Sequence, residues 1–279
     1  MRVFLTGATG YVGSAVAAAL RDRGHEITAL VRPESEASNL REAGAVIVAG
    51  ELKSLPDLAD TLKGHDAFVH AAFPRSRDIV AEDKIAVDVL SHAGFFVFTS
   101  GVWVLGPGSS SESSKLNPIP LVAWRPAHEQ AAFGSGPAAV IRPGCVYGGK
   151  QSLLAGWFAA ADQRKPLQIA GDGNNHWAMV NLHDLADCYV RIVEQRATGI
   201  FHGVDDSGVT LNECAHLVAP SGKIEHVAAE GPFGQALTLD QNVSSEATRR
   251  KLGWTPRRTF TTSIDEQWRE WRDALRPSS

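Results

Sequence analysis

The feature that most constrains this chain is the stretch FLTGATGYVGSAVAAAL, which begins at Phe4. A short apolar strand runs into Gly7, Gly10 and Gly13 and then into an alanine-rich helix. A strand that turns directly into a helix converges backbone N–H groups and the positive helix end on one point, and that point attracts phosphate. Glycine at every third position serves the tight turn, the close approach of a pyrophosphate to the backbone and the packing of helix against strand. The motif gains weight from its place in the first strand–turn–helix of an alternating chain.

The alternation continues. Strands are expected over 3–5, 27–31 and 46–49 and in DAFVHAAF, FFVFTSG and AAVIRPG; helices are expected over 11–23, 40–43 and 78–93 and in LPDLADTLKG, with Pro56 in its first turn. Strands alternating with helices predict an α/β, doubly wound parallel sheet. The division expected is a binding domain over 1–150 and a mixed region over 151–279 that forms a small C-terminal substrate lobe and returns to the main domain. The low-complexity run GPGSSSESSKLNPIP, 106–120, is expected to be a lid or a mobile loop.

Composition narrows the partners. With 27 Lys plus Arg against 31 Asp plus Glu, the net charge is −4, and no dense basic run appears. Nucleic acid and membrane are therefore not expected partners. The apolar run at the start breaks at Thr6-Gly7, and Arg21, Asp22 and Arg23 stand where a cleavage site would fall, so a signal peptide is rejected. Three cysteines, Cys145, Cys188 and Cys214, are odd in number and far apart, which predicts a reduced, cytoplasmic protein. The histidine spacing shows no zinc pattern, so no metal is expected.

TGATGYVGS resembles the Thr-Gly-x-x-Gly-x-x-Gly signature of the extended short-chain dehydrogenases/reductases, the NAD(P)-dependent epimerase/dehydratase family. GHDAFVHAA is similar to the family's fourth strand, FVFTSGVWVLG to its fifth, VIRPGCVYGG to its sixth, and MVNLHDLADCYV and SSEATRRKLGWTPRRTF to later segments. The resemblance covers nearly the whole chain and implies a Rossmann-type fold, a nicotinamide dinucleotide cofactor, a small-molecule substrate and room for a homodimer. It implies cofactor contacts from Gly7, Thr9, Gly10, Tyr11, Val12 and Gly13, from Ala71 and Ala72, from Thr99, and from Pro143 and Gly144. Glu51 and Leu52 would flank the adenine.

The second strand selects the cofactor. An acid at its end would bind the ribose 2′-hydroxyl of NAD(H). Here the strand ends Val31-Arg32-Pro33, so Arg32, with Ser35 as helper, is expected to meet the 2′-phosphate of NADP(H). Glu34 is the rival that would favour NAD(H).

The family's proton-transfer pair, Tyr-x-x-x-Lys, is absent: the residues four places after Tyr11, Tyr147 and Tyr189 are Ala15, Gln151 and Val193. In LVAWRPAHEQAAF one alignment places Trp124 and His128 at the pair positions. The other matches Glu129 to an acid of the family and places Leu121 and Arg125 there, and it is preferred. Arg125 would then bind the nicotinamide ribose but could not act as a tunable acid. Gly101 occupies the family's serine position, after Thr99 and Ser100. The expected catalytic residues are Tyr147, Ser100 and Arg125, with His128, His176 and water as further proton sources. Two functions follow: an NADP(H)-dependent oxidoreductase acting on a small organic carbonyl-type substrate, or a cofactor-binding sensor that has lost catalysis.

Overall fold

Strand β1 (Arg2–Thr6) buries every residue after Arg2, and apolar residues on both faces mark a strand covered from two sides. The computed structural model describes residues 1–73, 76–149 and 151–275. The main sheet also contains β2 (Glu26–Val31), β3 (Val46–Ala49), β4 (Ala67–His70), β5 (Phe95–Thr99), β6 (Ala138–Pro143) and β7 (Gly199–Gly203), in the order β7-β6-β5-β4-β1-β2-β3. Every pairing from β6 to β3 is parallel. The order reverses between β1 and β4, and in such sheets the crevice outside the strand carboxyl ends at that switch point binds ligands.

Helix α1 (Tyr11–Asp22) buries Gly13, Val16, Ala17 and Leu20. Helix α2 (Ile79–Ala93) buries Asp83, Ala86, Val87 and Leu90. Phe4, Phe68, Phe96 and Phe98 from the sheet pack with the last three of these. LPDLADTLKG differs from expectation: Leu52–Leu58 is a 3₁₀ helix and only Ala59–Leu62 is α-helical. Pro56 lies inside the first segment; it has no N–H to donate back one turn, which favours the tighter winding. Helix α3 (Arg125–Ala132) is tied to β6 by a buried bidentate pair, Arg142 Nε to Glu129 Oε1 at 3.0 Å and Arg142 Nη2 to Glu129 Oε2. Helix α4 (Leu182–Gln195) follows later in the chain.

In place of one boundary after residue 150, two units interleave along the chain. The first comprises Met1–Ser100, Trp124–Arg142 and Ala186–Phe201; the second comprises Gly101–Ala123, Pro143–Leu185 and His202–Ser279. The chain leaves and re-enters the first unit through segments that follow β5 and β6, so a single cut cannot separate the two. The second unit has its own core, including Tyr147, Phe158, Ile169, Met179, Phe260 and Trp271. Its small parallel pairings join Cys145–Tyr147 to Met179–Asn181 and Leu167–Ala170 to Ile224–Val227.

The run 106–120 is an ordered part of this second unit. Gly108–Ser110 pairs with Gln241–Val243, and Glu112 Oε1 accepts from the Thr248 amide and hydroxyl, both at 2.7 Å. Backbone pairing and a charged acceptor anchor a segment whose composition reads as loop. Among the described residues no helix is long and apolar enough to cross a membrane.

Glu129 and Arg142 are each 3% exposed. Breaking such a buried charge pair by removing one partner costs about 3–5 kcal/mol. Glu129→Ala is therefore expected to lower stability by that amount in urea denaturation. Asp88→Ala, which breaks the exposed Lys84–Asp88 pair, should change it by less than about 1 kcal/mol. Equal effects would refute this assignment.

Candidate functional site

Parallel register brings the strand ends to one edge of the sheet. Thr6 lies opposite Leu30 and His70, Val31 opposite Ala49, and His70 opposite Phe98. The residues that follow these ends, from Gly7, Arg32, Gly50, Ala71 and Ser100, therefore line the same edge.

The glycine turn is closely built. Gly7 has φ +80°, and a Cβ on it would lie 2.5 Å from Ala72 N and 2.6 Å from the Ala71 carbonyl carbon. A Cβ on Gly13 would lie 2.1 Å from Gly7 O. Neither position admits a side chain. At Gly10 an added Cβ meets only Gly7 O, at 3.2 Å. Gly10 is also the N-cap of α1, and no side chain caps that helix. A sharp turn of small residues before an uncapped helix start fits a dinucleotide pyrophosphate, with Thr9, Gly10, Tyr11 and Val12 on the turn and first helical residues.

Beyond β2, Ser35 N donates to Arg32 O at 2.9 Å and closes a turn. The exposed Arg32 guanidinium faces Glu34 Oε1 at 3.4 Å, so the two residues that argue for opposite cofactors form a loose pair. After β3, Glu51 is tied to Lys53, and the Leu52 side chain packs into the core. Ala71 and Ala72, at the exit of β4, form the wall against which Gly7 turns.

The end of β5 concentrates the polar chemistry of the first unit. Arg125, 7% exposed, donates from Nη1 to Thr99 O at 2.9 Å. Its guanidinium lies 4.7 Å from the Trp124 ring centroid and 5.4 Å from that of Phe73. Burial lowers the Arg125 pKa, while the Asp83 and Glu129 carboxylates oppose the shift; the group stays a cation at working pH. Thr99 Oγ1 is hydrogen-bonded to the Tyr189 hydroxyl at 2.7 Å. The Ser100 hydroxyl is buried without a hydrogen-bond partner among the described residues. A buried hydroxyl of this kind calls for a partner from outside the fold, such as a water or a ligand oxygen.

Behind Arg125, Asp83 is 1% exposed and holds two histidines. His70 Nε2 approaches Oδ1 at 3.2 Å, and His128 Nδ1 approaches Oδ2 at 2.7 Å. Burial would raise the Asp83 pKa, but hydrogen bonds from His128 and His70 outweigh it and hold the carboxyl well below its usual range.

Tyr147 lies in the second unit, fully buried. Its hydroxyl donates toward Asp205 Oδ2 and Arg258 O, both at 3.1 Å. Burial, and then Asp205, push its pKa up. The hydroxyl expected to face a substrate is thus committed to the core, because the Cys145–Tyr147 strand turns this ring edge-on to Phe260. Desolvation pushes the Cys145 thiol up to about 12, which leaves too little thiolate for a nucleophile. Pro143 is buried, and Gly144 N donates to Gly203 O. His176 binds Asp240, and Trp177 Nε1 donates to Leu237 O. His183 pairs with Glu270. Asp184 accepts from the amides of Arg257 and Arg258 and from the Arg258 guanidinium, a structural clasp. Gly101 has φ 179°, an extended conformation open to any residue, so backbone strain does not account for glycine at that position.

Sequence reasoning missed Asp83, His70 and Tyr189. Asp83 carried a readable signal: it shares the buried stripe of α2 with Ala86, Val87 and Leu90, and a carboxylate on an apolar stripe needs internal partners.

A family described as NAD(P)H-binding matches residues 7–130. An uncharacterized Schizosaccharomyces pombe protein is 29% identical over 92% of this chain and 95% of its own length. The 4-hydroxy-2-methyl-3-oxo-4-farnesyl-3,4-dihydroquinoline-1-oxide ketoreductase of Stigmatella aurantiaca is 39% identical over 85% of this chain and 78% of its own. The structure of the dTDP-glucose 4,6-dehydratase DesIV of Streptomyces venezuelae, with NAD and TYD bound, superposes with a TM-score of 0.83 at 21% identity, covering 98% of this chain and 97% of that one. The glycine turn, the 3-2-1-4-5-6 strand order and a relative this similar over most of both chains lead to one conclusion: the chain belongs to the NAD(P)-dependent epimerase/dehydratase family of extended short-chain dehydrogenases/reductases.

Proposed function

We propose that this protein is an NADP(H)-dependent oxidoreductase that reduces a small organic carbonyl-type substrate from a non-standard active site. The observation that carries this reading is the buried Arg125 cation beside a Ser100 hydroxyl that has no partner among the described residues, both at one strand end. The similarity to a ketoreductase supports a carbonyl substrate. The three cysteines, all free, support a reducing, cytoplasmic setting.

Gly7, Gly10 and Gly13 would seat the pyrophosphate, Arg32 and Ser35 the 2′-phosphate, and Arg125 the nicotinamide ribose. When bound, the dinucleotide supplies hydride to the carbonyl carbon. Ser100 donates a hydrogen bond to the carbonyl oxygen and relays to it a proton from water. Arg125 stabilises the negative charge that grows on that oxygen, since a fixed cation in a dry site acts most strongly where charge develops. Arg125 does not give up its own proton. The absence of Tyr-x-x-x-Lys and the committed Tyr147 hydroxyl favour a second reading, a dinucleotide sensor without catalysis.

Three results are expected. NADPH should bind roughly ten- to a hundredfold more tightly than NADH, as one charge-assisted contact of about 1.5–3 kcal/mol provides, and Arg32→Ala should erase most of the difference. Equal affinities in the parent protein would remove the 2′-phosphate assignment. Gly10→Val should keep the fold and lose dinucleotide binding in a titration, whereas Gly13→Val should lower the melting temperature, given the 2.1 Å approach there. The reverse pattern would misplace the pyrophosphate. On a carbonyl substrate found by screening NADPH oxidation, Ser100→Ala should lower turnover by a factor of about 10² with NADPH affinity unchanged, and Tyr147→Phe should lower stability instead. A turnover loss confined to Tyr147→Phe would make Tyr147 the donor; no oxidation of NADPH by any carbonyl would leave the sensor reading.

A further inference from the structure

The buried Asp83 carboxylate connects four elements of the first unit. With Asp83 ionised, His70 Nε2–H and His128 Nδ1–H are the donors. A neutral His70 then leaves Nδ1 bare to accept from the Thr6 hydroxyl, 2.6 Å away, and Thr6 immediately precedes the Gly7 turn. On the other side, the His128 ring meets the Trp124 ring at 4.9 Å, edge to face. The Trp124 ring in turn lies 4.7 Å from the Arg125 guanidinium. One contact chain therefore runs from β1 through β4 and α2 to the first turn of α3.

Packing alone does not explain this arrangement. Apolar residues of similar volume would hold the same elements together at least as well, because buried ionic groups lose much of their attraction to desolvation. What the polar version adds is direction. Each Asp83 oxygen fixes one imidazole edge, and the His128 edge fixes the face that Trp124 presents to Arg125. The guanidinium has one hydrogen bond, to Thr99 O, among the described residues; the Trp124 ring at 4.7 Å, the Phe73 ring at 5.4 Å and the attraction of the Asp83 and Glu129 carboxylates are its other constraints, and of the two rings it is Trp124 that His128 touches.

We propose that Asp83 and His128 are positioning residues that orient the Arg125 guanidinium, through the Trp124 ring, for its ligand. The inference rests on the reading of Arg125 as a ribose-binding group. It deepens that reading by naming the side chains that set the aim of a group which the preferred alignment places where the family has lysine.

A double-mutant cycle on the full chain tests it. NADPH dissociation constants are measured by calorimetry, and melting temperatures alongside, for the parent, Arg125→Ala, His128→Phe and the double variant. Phe keeps a ring against Trp124 and removes the donor to Asp83. Positioning through Arg125 predicts that His128→Phe weakens NADPH binding about three- to tenfold, the scale of a contact-level coupling. It also predicts that the double variant binds no more weakly than Arg125→Ala alone, and that His128→Gln, which restores an N–H donor, recovers most of the affinity. Losses that multiply, or an unchanged constant in a folded His128→Phe, would overturn the proposal while leaving the Arg125 reading intact. An unchanged constant in Arg125→Ala would remove that reading and this inference together. If His128→Phe does not fold, Asp83→Asn replaces it with the same expectations, since it keeps the side-chain volume and removes the charge.

Discussion

The architecture of the first unit depends on the contact of a turn with a neighbouring strand end. Gly7 runs so close to the Ala71–Ala72 backbone that no side chain fits between them, and Gly13 runs equally close to Gly7. β1 and β4 must therefore lie side by side, with α1 starting where they end. Once that is set, parallel pairing brings the ends of β2, β3 and β5 to the same edge. The candidate site is a consequence of register before it is a consequence of any one side chain.

Two kinds of buried charge then differ in what they do. The Arg142–Glu129 pair is bidentate and joins a helix to a strand. Asp83 joins two imidazoles and has no bidentate partner. Arg125 has neither kind of saturation; aromatic rings and one carbonyl hold it. Arg125 thus makes one hydrogen bond among the described residues where Arg142 makes a bidentate pair, although both are buried on α3 or the strand beside it.

The fold was largely legible in the sequence because period and punctuation agree. Glycines end the first strand, β-branched and apolar runs mark the next ones, and the spacing suits a parallel sheet. Pro56 was visible too, but its effect on winding depends on whether neighbouring leucines pack, and that is a tertiary matter. The run 106–120 was misleading because its serines carry no periodicity; a strand partner more than a hundred residues away and an acceptor from Glu112 order it. At the site, the tight turn at Gly7 could be read from a short motif. Tyr147 misled because its place on a loop motif says nothing of which way the ring turns, and Asp205 and Arg258, far along the chain, hold it. His70 falls in GHDAFVHAA, but nothing in that stretch ties it to Asp83 thirteen residues on, so only the odd carboxylate on an apolar stripe pointed to the pair.

The interleaved path of the chain bears on biogenesis. The first unit takes its last segment, Ala186–Phe201, only after two segments of the second, Gly101–Ala123 and Pro143–Leu185, have been made. During synthesis the glycine turn can form within the first hundred residues. The helix that brings Tyr189 to Thr99 arrives only ninety residues after Thr99 itself. Until then the end of β5 stays unfinished on the ribosome, and a nascent chain stalled at residue 150 would hold the glycine turn without the partner that completes Thr99.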